Sequence, residues 1–226
     1  MNRMPRTWML ILTLLALLAN ARGAGNPKVD RVLDKFNNFS RMLRTFQADI
    51  IQRKYHSILQ EFDDPEKGQL EFRKATDGMY LKKEIQEPGR TILLVTPHEI
   101  LVYYPKKNQA LRRKIEEHQA RYANIGIGTS VEDLRKNFNI EYVKDEVVEK
   151  KIYHVLDLHP TNSSIKKYFK TLSLWIDSAN GVPARQRIYE DNGDYTDIQF
   201  LDIKVNKKIK DKTFELRLPK NVEFIN

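Results

Sequence analysis

Hydrophobic residues near the start of the chain repeat at helical spacing, and the period then changes to two. Val29, Val32, Leu33, Phe36, Phe39 and Leu43 fall on one face of a helix expected over residues 26–42. Pro27 suits its first turn. From Phe46 the pattern is that of a strand, with Phe46, Ala48 and Ile50 on one side and Gln47, Asp49 and Ile51 on the other. Gly68 opens a second strand in which Leu70 and Phe72 face one way. Met79, Leu81 and Ile85 alternate in a third. Thr91 to Thr96 reads TILLVT, a continuous apolar run expected to be buried on both faces. Pro97-His98-Glu99 turns the chain into Ile100–Tyr104, and Ala110–Ile115 is expected to form a further strand.

The middle differs. Glu116 to Ser130 has no strand period, and Gly126 and Gly128 serve either as hinges or as a plain connector. Thr129-Ser130-Val131-Glu132 reads as a capping box that opens a short helix with Val131, Leu134 and Phe138 inside. Strands resume over 140–148, 152–158, 168–177, 184–189 and 195–205. Asn180-Gly181 and Asn192-Gly193 are strong hairpin signals. A last strand is expected over Phe214–Leu218, ending at Pro219. About ten strands in hairpin order predict a mainly β (α+β) chain whose antiparallel sheet curls, because open sheets of this size twist.

Composition narrows the function. The 226 residues contain no cysteine, which excludes a disulfide framework, a Cys-based zinc site, a thiol nucleophile and a lipid-modified N-terminal Cys. Arg3 and Arg6 precede the apolar run Trp8–Ala19, which is too short to span the roughly 30 Å of a bilayer core as a helix. Ala19-Asn20-Ala21 follows as an A-x-A cleavage site, so residues 1–21 read as a cleavable export signal and 22–226 as one domain. Export also changes the meaning of the +9 net charge. A basic exported protein meets anionic head groups and acidic partner surfaces rather than nucleic acid, so transient membrane-surface contact is expected.

Catalytic motifs are missing from the sequence. It has no G-x-S-x-G elbow, no H-E-x-x-H, no P-loop and no G-x-G-x-x-G. His56, His98, His118, His154 and His159 are scattered and do not fall at metal-ligand spacing on a helix. No enzyme activity, metal or cofactor is therefore expected. A half-closed sheet with helices across its mouth would instead enclose an apolar cavity for apolar ligands. Inward-pattern candidates for such a cavity are Phe46, Ala48, Ile50, Leu70, Phe72, Met79, Leu81, Ile92, Leu94, Leu101 and Tyr103. Alternation alone leaves open which face of each strand is concave.

Several segments, in order, carry a resemblance. They are Thr45-Phe46-Gln47-Ala48-Asp49 with Gln52, Gly68 through Lys74, Glu87-Pro88, and Tyr103-Tyr104-Pro105 with Asn108-Gln109. Trp175-Ile176-Asp177, Asp191 through Asp194, Phe200 through Asn206, and then Asp211, Phe214 and Pro219 complete it. Together they resemble the periplasmic outer-membrane lipoprotein carrier (LolA) family, from about Phe36 to Phe224. The resemblance implies an incomplete, half-open antiparallel β-barrel with helices as a lid over an apolar cavity. It implies a monomeric periplasmic chaperone for acylated lipoproteins, with an inner-membrane ABC transporter as donor and an outer-membrane acceptor. A carrier of another amphiphile, such as a glycolipid or phospholipid, and a lipid-sensing regulatory protein are the alternatives. Family members often carry Arg-Pro after the second strand, where the Arg tethers the lid. Here Lys74-Ala75 stand in those positions with Arg73 one residue earlier, so lid control falls to Arg73 or to Lys74, which face opposite ways.

Overall fold

A computed structural model describes residues 26–115 and 125–225. The expected export signal, His118 and most of the segment between the sheet and the second helix lie outside the described residues. Helix α1 (Pro27–Met42) begins at Asn26, whose side chain accepts a hydrogen bond from the Lys28 amide and so satisfies one of the open donors of the first turn. The strands that follow are β1 (Thr45–His56), β2 (Glu61–Phe62), β3 (Glu66–Ala75), β4 (Gly78–Glu87), β5 (Thr91–Val95), β6 (Glu99–Tyr104) and β7 (Gln109–Lys114). Helix α2 (Val131–Asn137) leads into β8 (Phe138–Val148) and β9 (Lys151–Pro160). The short α3 (Ser163–Lys166) precedes β10 (Thr171–Asp177), β11 (Pro183–Tyr189), β12 (Tyr195–Val205) and β13 (Glu223–Ile225).

The strands form one curved sheet in the order β13-β7-β6-β5-β4-β3-β1-β12-β11-β10-β9-β8, with β2 paired to β1. Two antiparallel meanders meet where β1 pairs with β12, and the end strands β13 and β8 do not pair, so the barrel stays open. Helix α1 lies in the concave side. Its stripe Val29, Val32, Leu33, Phe36 and Phe39 packs with Phe46, Ala48, Ile50, Leu70, Phe72 and Leu81 into a single core that extends to Leu156, Leu158, Leu174 and Phe200.

A second, smaller core sits on the convex side. There Ile92, Leu94, Leu101, Tyr103 and Ala110 are covered by Ile209, Phe214, Leu216 and Leu218 of the C-terminal segment. Strand β5 is thus buried on both faces, as its continuous apolar run predicts: Val95 and Leu93 join the concave core while Ile92 and Leu94 face outward. Three expectations are corrected. The strand expected over Phe214–Leu218 is a turn of 3₁₀ helix, Asp211–Phe214, followed by extended chain, and the last strand is Glu223–Ile225, parallel to β7. Its apolar residues alternate because they cover the convex core, without any strand partner. The cap of α2 is Ser130 and not Thr129, since the Ser130 hydroxyl accepts from the Asp133 amide at 3.0 Å. Short additional strands, β2 and β13 among them, bring the sheet to thirteen.

Candidate functional site

Cross-strand register places the candidates on two faces. Phe46 opposes Phe72, and Phe72 opposes Leu81, so all three point into the concave side with Ala48, Ile50 and Leu70. Met79 packs against the same core. Ile92, Leu94, Leu101 and Tyr103 are a correction: they lie on the convex face under the C-terminal segment, away from the interior. In a strand buried on both sides no polar face marks the outside, so alternation could not separate the two sets.

The interior is occupied by the protein's own side chains. Phe36, Phe46 and Phe72 are each 0% exposed. A strap over residues 125–129 completes the closure, with Ile125 and Ile127 buried. Gly126 (φ +95°) and Gly128 (φ +77°) adopt a backbone conformation that favours glycine. A Cβ on Gly128 would come within 2.3 Å of the Phe72 ring, so the strap presses its backbone directly on the core. Two side chains hold it. Gln186 Nε2 of β11 donates to the Ile125 carbonyl at 2.8 Å, and the Ser40 hydroxyl of α1 donates to the Thr129 carbonyl at 2.7 Å. The glycines therefore fit a tightly packed strap and are more than a plain connector.

Arg73 and Lys74 separate as alternation requires. Arg73 points to the convex side, where it pairs with Asp211 and lies over the rings of Tyr80 and Phe214, at 5.0 and 4.8 Å. It pins the C-terminal segment. Lys74 instead lines an opening of about 560 Å³ at the mouth, together with Met79, Gly128, Ser130 and Glu132. Of the two, only Lys74 shares a space with the strap and α2.

The far end of the concave face is polar. Along β1 the inward residues change from Phe46, Ala48 and Ile50 to Gln52, Lys54 and His56. Lys83 Nζ donates to Gln52 Oε1 at 3.0 Å, and Gln52 Nε2 donates to Glu66 at 2.7 Å. Desolvation holds the Lys83 ammonium below its ordinary pKa, partly offset by Glu66. Lys54 pairs with Glu190 at 2.9 Å, and His56 lies between Asp63 (3.0 Å) and Asp194 (3.7 Å). The backbone N–H of Ser57 holds the Asp194 carboxyl below the usual carboxylate range, helped by the Ser57 hydroxyl and Asn192. A depressed pKa stabilises the fold above the unfolded value near pH 4, and that contribution is lost as pH falls through the lower folded value. Asp194→Asn is therefore expected to cost stability at pH 7 and to cost less at pH 3. Urea unfolding of both proteins at the two pH values checks this, and an equal deficit at both would contradict it.

A second groove, of about 270 Å³, lies between α1 and the β8–β9 hairpin, lined by Lys28, Arg31 and Lys35 opposite Tyr142, Asp145 and His154. None of these residues is among the candidates expected from sequence. The signal is the spacing of the three cations along one side of α1, which becomes informative only once the neighbouring hairpin is known. Among the described residues no group of three or more His, Asp or Glu side chains could hold a metal. No described helix is long and apolar enough to cross a membrane.

A family model for outer membrane lipoprotein carrier protein LolA matches residues 41–217. The chain belongs to the LolA family. Among solved structures, an uncharacterized conserved protein from Thermus thermophilus superposes with a TM-score of 0.54 at 13% identity, covering 88% of this chain and 98% of that one. MucB gives 0.52 at 12% identity, covering 86% of this chain, which spans only 65% of MucB. The Mycobacterium tuberculosis lipoprotein LppX gives 0.50 at 12% identity, with 82% and 99% covered. At these identities the likeness is one of fold. No curated protein matches the chain.

Proposed function

We propose that this LolA-family protein is a periplasmic carrier that takes up the acyl chains of lipoproteins in the concave interior, in place of α1, and ferries them from the inner to the outer membrane. The observation that carries the reading is the concave core itself. It is built by a helix that crosses an unclosed sheet and by a strap held through the side chains of Ser40 and Gln186. The apolar surface that α1 now covers is the surface that acyl chains would cover. Phe46, Ala48, Ile50, Leu70, Phe72, Met79 and Leu81 are the lining residues, and Lys74 is the residue at the mouth that responds to the lid.

The energetics suit a carrier without chemistry of its own. Each buried CH₂ contributes about 0.8 kcal/mol, so three acyl chains represent tens of kcal/mol, and such a cargo leaves a bilayer only when release is driven elsewhere. An inner-membrane ABC transporter would supply that drive, and an outer-membrane acceptor with higher affinity would complete the transfer. A closed resting state helps, because part of the binding energy is spent displacing α1, and that share is returned when the chains leave. Native mass spectrometry of the protein isolated from its own periplasm tests the reading. A co-purifying triacylated Cys-terminal polypeptide is expected. A protein free of lipoprotein, even when transfer to the outer membrane is blocked, would overturn it.

The strap makes a kinetic expectation. Ser40→Ala removes a buried hydrogen bond contributing about 1 kcal/mol, so the open form is expected to be populated about fivefold more. Stopped-flow uptake of a fluorescent fatty-acyl probe is expected to accelerate by that factor. Unchanged uptake by the folded variant would show that the strap does not limit access.

A further inference from the structure

We infer that the groove between α1 and the β8–β9 hairpin is a head-group site, in which Lys28, Arg31 and Lys35 hold the phosphate of an anionic phospholipid whose chains pass inward beside Val32. The inference rests on the reading of the interior as an acyl-chain site, with α1 moved outward from the sheet but still beside the hairpin, and it adds anionic phospholipids to the lipoproteins that the site admits.

Lys28, Arg31 and Lys35 stand at i, i+3 and i+7, so their side chains share one side of the helix. Val32 lines the same groove and is also part of the concave core, so the groove passes from cations at its rim to apolar core within one turn. Opposite stands the last strand of the sheet. Among the described residues no strand pairs with the outer edge of β8, and no backbone hydrogen bond joins it to α1. The seam is closed by side chains alone, which makes it a place where chains can pass without breaking the sheet.

The charges support an anion. The three cations have no carboxylate within 4.0 Å among the described residues; Lys35 Nζ donates to the Ser178 carbonyl, and Lys28 Nζ lies 4.9 Å from the centre of the Tyr142 ring. Asp145 lines the groove and lies close enough to Lys28 for that charge to help lower its pKa, yet it and Asp30 each have a closer partner. Asp145 Oδ1 lies 2.5 Å from His154 Nδ1, and Asp30 accepts from Arg135 at 2.6 Å. An arginine between two lysines matches a phosphate, which the guanidinium can grip through two oxygens while the ammonium groups supply point charge. At about 270 Å³ the groove is smaller than the usual drug-sized pocket and suits a compact head group.

The test is equilibrium transfer of pyrene-labelled phosphatidylglycerol and phosphatidylcholine of identical chains from vesicles to the signal-free protein at fixed ionic strength. Because each partly exposed ion pair adds modestly, the wild type is expected to take phosphatidylglycerol about tenfold better than phosphatidylcholine. The variant Lys28→Gln/Arg31→Gln/Lys35→Gln is expected to bring the two lipids to parity, with phosphatidylglycerol uptake falling further than that of phosphatidylcholine, whose phosphate is the same but whose choline cation weakens its hold on the wild-type site. Arg31→Gln alone is expected to give an intermediate preference, which keeps the test sound if the triple variant folds poorly. Sodium phosphate replacing chloride at equal ionic strength is expected to change phosphatidylglycerol uptake less than twofold. Full displacement by inorganic phosphate would reveal a free-anion site and overturn the inference. Equal uptake of both lipids by the wild type would overturn it too, leaving the acyl-chain reading intact. Uptake of neither lipid, nor of a triacylated lipopeptide, would defeat the acyl-chain reading itself.

Discussion

Phe72→Ala is expected to lower the unfolding free energy by about 3–5 kcal/mol, a large part of the roughly 5–15 kcal/mol that holds a domain folded. The reason is position. Phe72 is paired across the sheet with Phe46 and Leu81, and its ring fills the space that Gly128 leaves by having no side chain. Alanine would remove the contact between Gly128 of the strap and the sheet. Because Gly128 is fixed in a left-handed conformation and the strap is held by Gln186 and Ser40, collapse into the void is restricted. Urea unfolding measures the effect. A loss below about 1 kcal/mol would mean that the strap follows the smaller side chain inward, contrary to the packing described.

Asp197→Ala is expected to cost about 2–4 kcal/mol, although it touches neither the concave core nor the groove. Asp197 lies on the convex face of β12 and is almost fully buried. It accepts two hydrogen bonds from Arg185, at 2.8 and 2.7 Å, and one from Arg187 Nε at 2.7 Å. Both guanidinium groups lie over Trp175, at 4.7 and 5.5 Å, and Arg187 also covers Tyr195 at 4.5 Å. Here the arginines cover the convex face of the sheet, with their planes on the rings and their charge on one carboxylate. Without the carboxylate, two half-buried like charges face each other. Asp197→Asn keeps an acceptor of the same shape and is expected to lose about half as much. A loss under about 0.5 kcal/mol in Asp197→Ala would show that solvent already satisfies both guanidinium groups.

Much of the fold can be traced to local pattern. The stripe of α1, the alternation of β1 and β3, the doubly buried run of β5 and the Asn-Gly hairpins each carry their own signal, and each forms as expected. What the sequence could not provide is orientation. Leu81 and Leu94 look alike in one dimension, and only the pairing of Leu81 with Val95 shows that Leu94 faces the other way. Arg73 and Lys74 pose the same problem: alternation says they diverge, but the C-terminal segment, with Phe214 against Tyr80, shows that Arg73 is the one on the convex side. The pairing of β1 with β12 joins residues some 150 positions apart, beyond any local rule. The β8–β9 turn falls where the strands expected over 140–148 and 152–158 leave it, although Glu149 and Lys150 take positive φ without a glycine to announce it. The head-group groove needed that hairpin and α1 together, so neither segment alone could point to it.

The most direct measurement is photocrosslinking with a triacylated lipopeptide that carries a diazirine in mid-chain, followed by mass-spectrometric mapping of the labelled residues. Because acyl chains are proposed to replace α1 on the concave face, label is expected on the peptides containing Phe46, Ile50, Phe72 and Leu81, together with hydrogen exchange that rises in α1. Label confined to the convex peptides around Ile92, Leu94 and Leu101, with α1 as protected as in the free protein, would contradict the proposal.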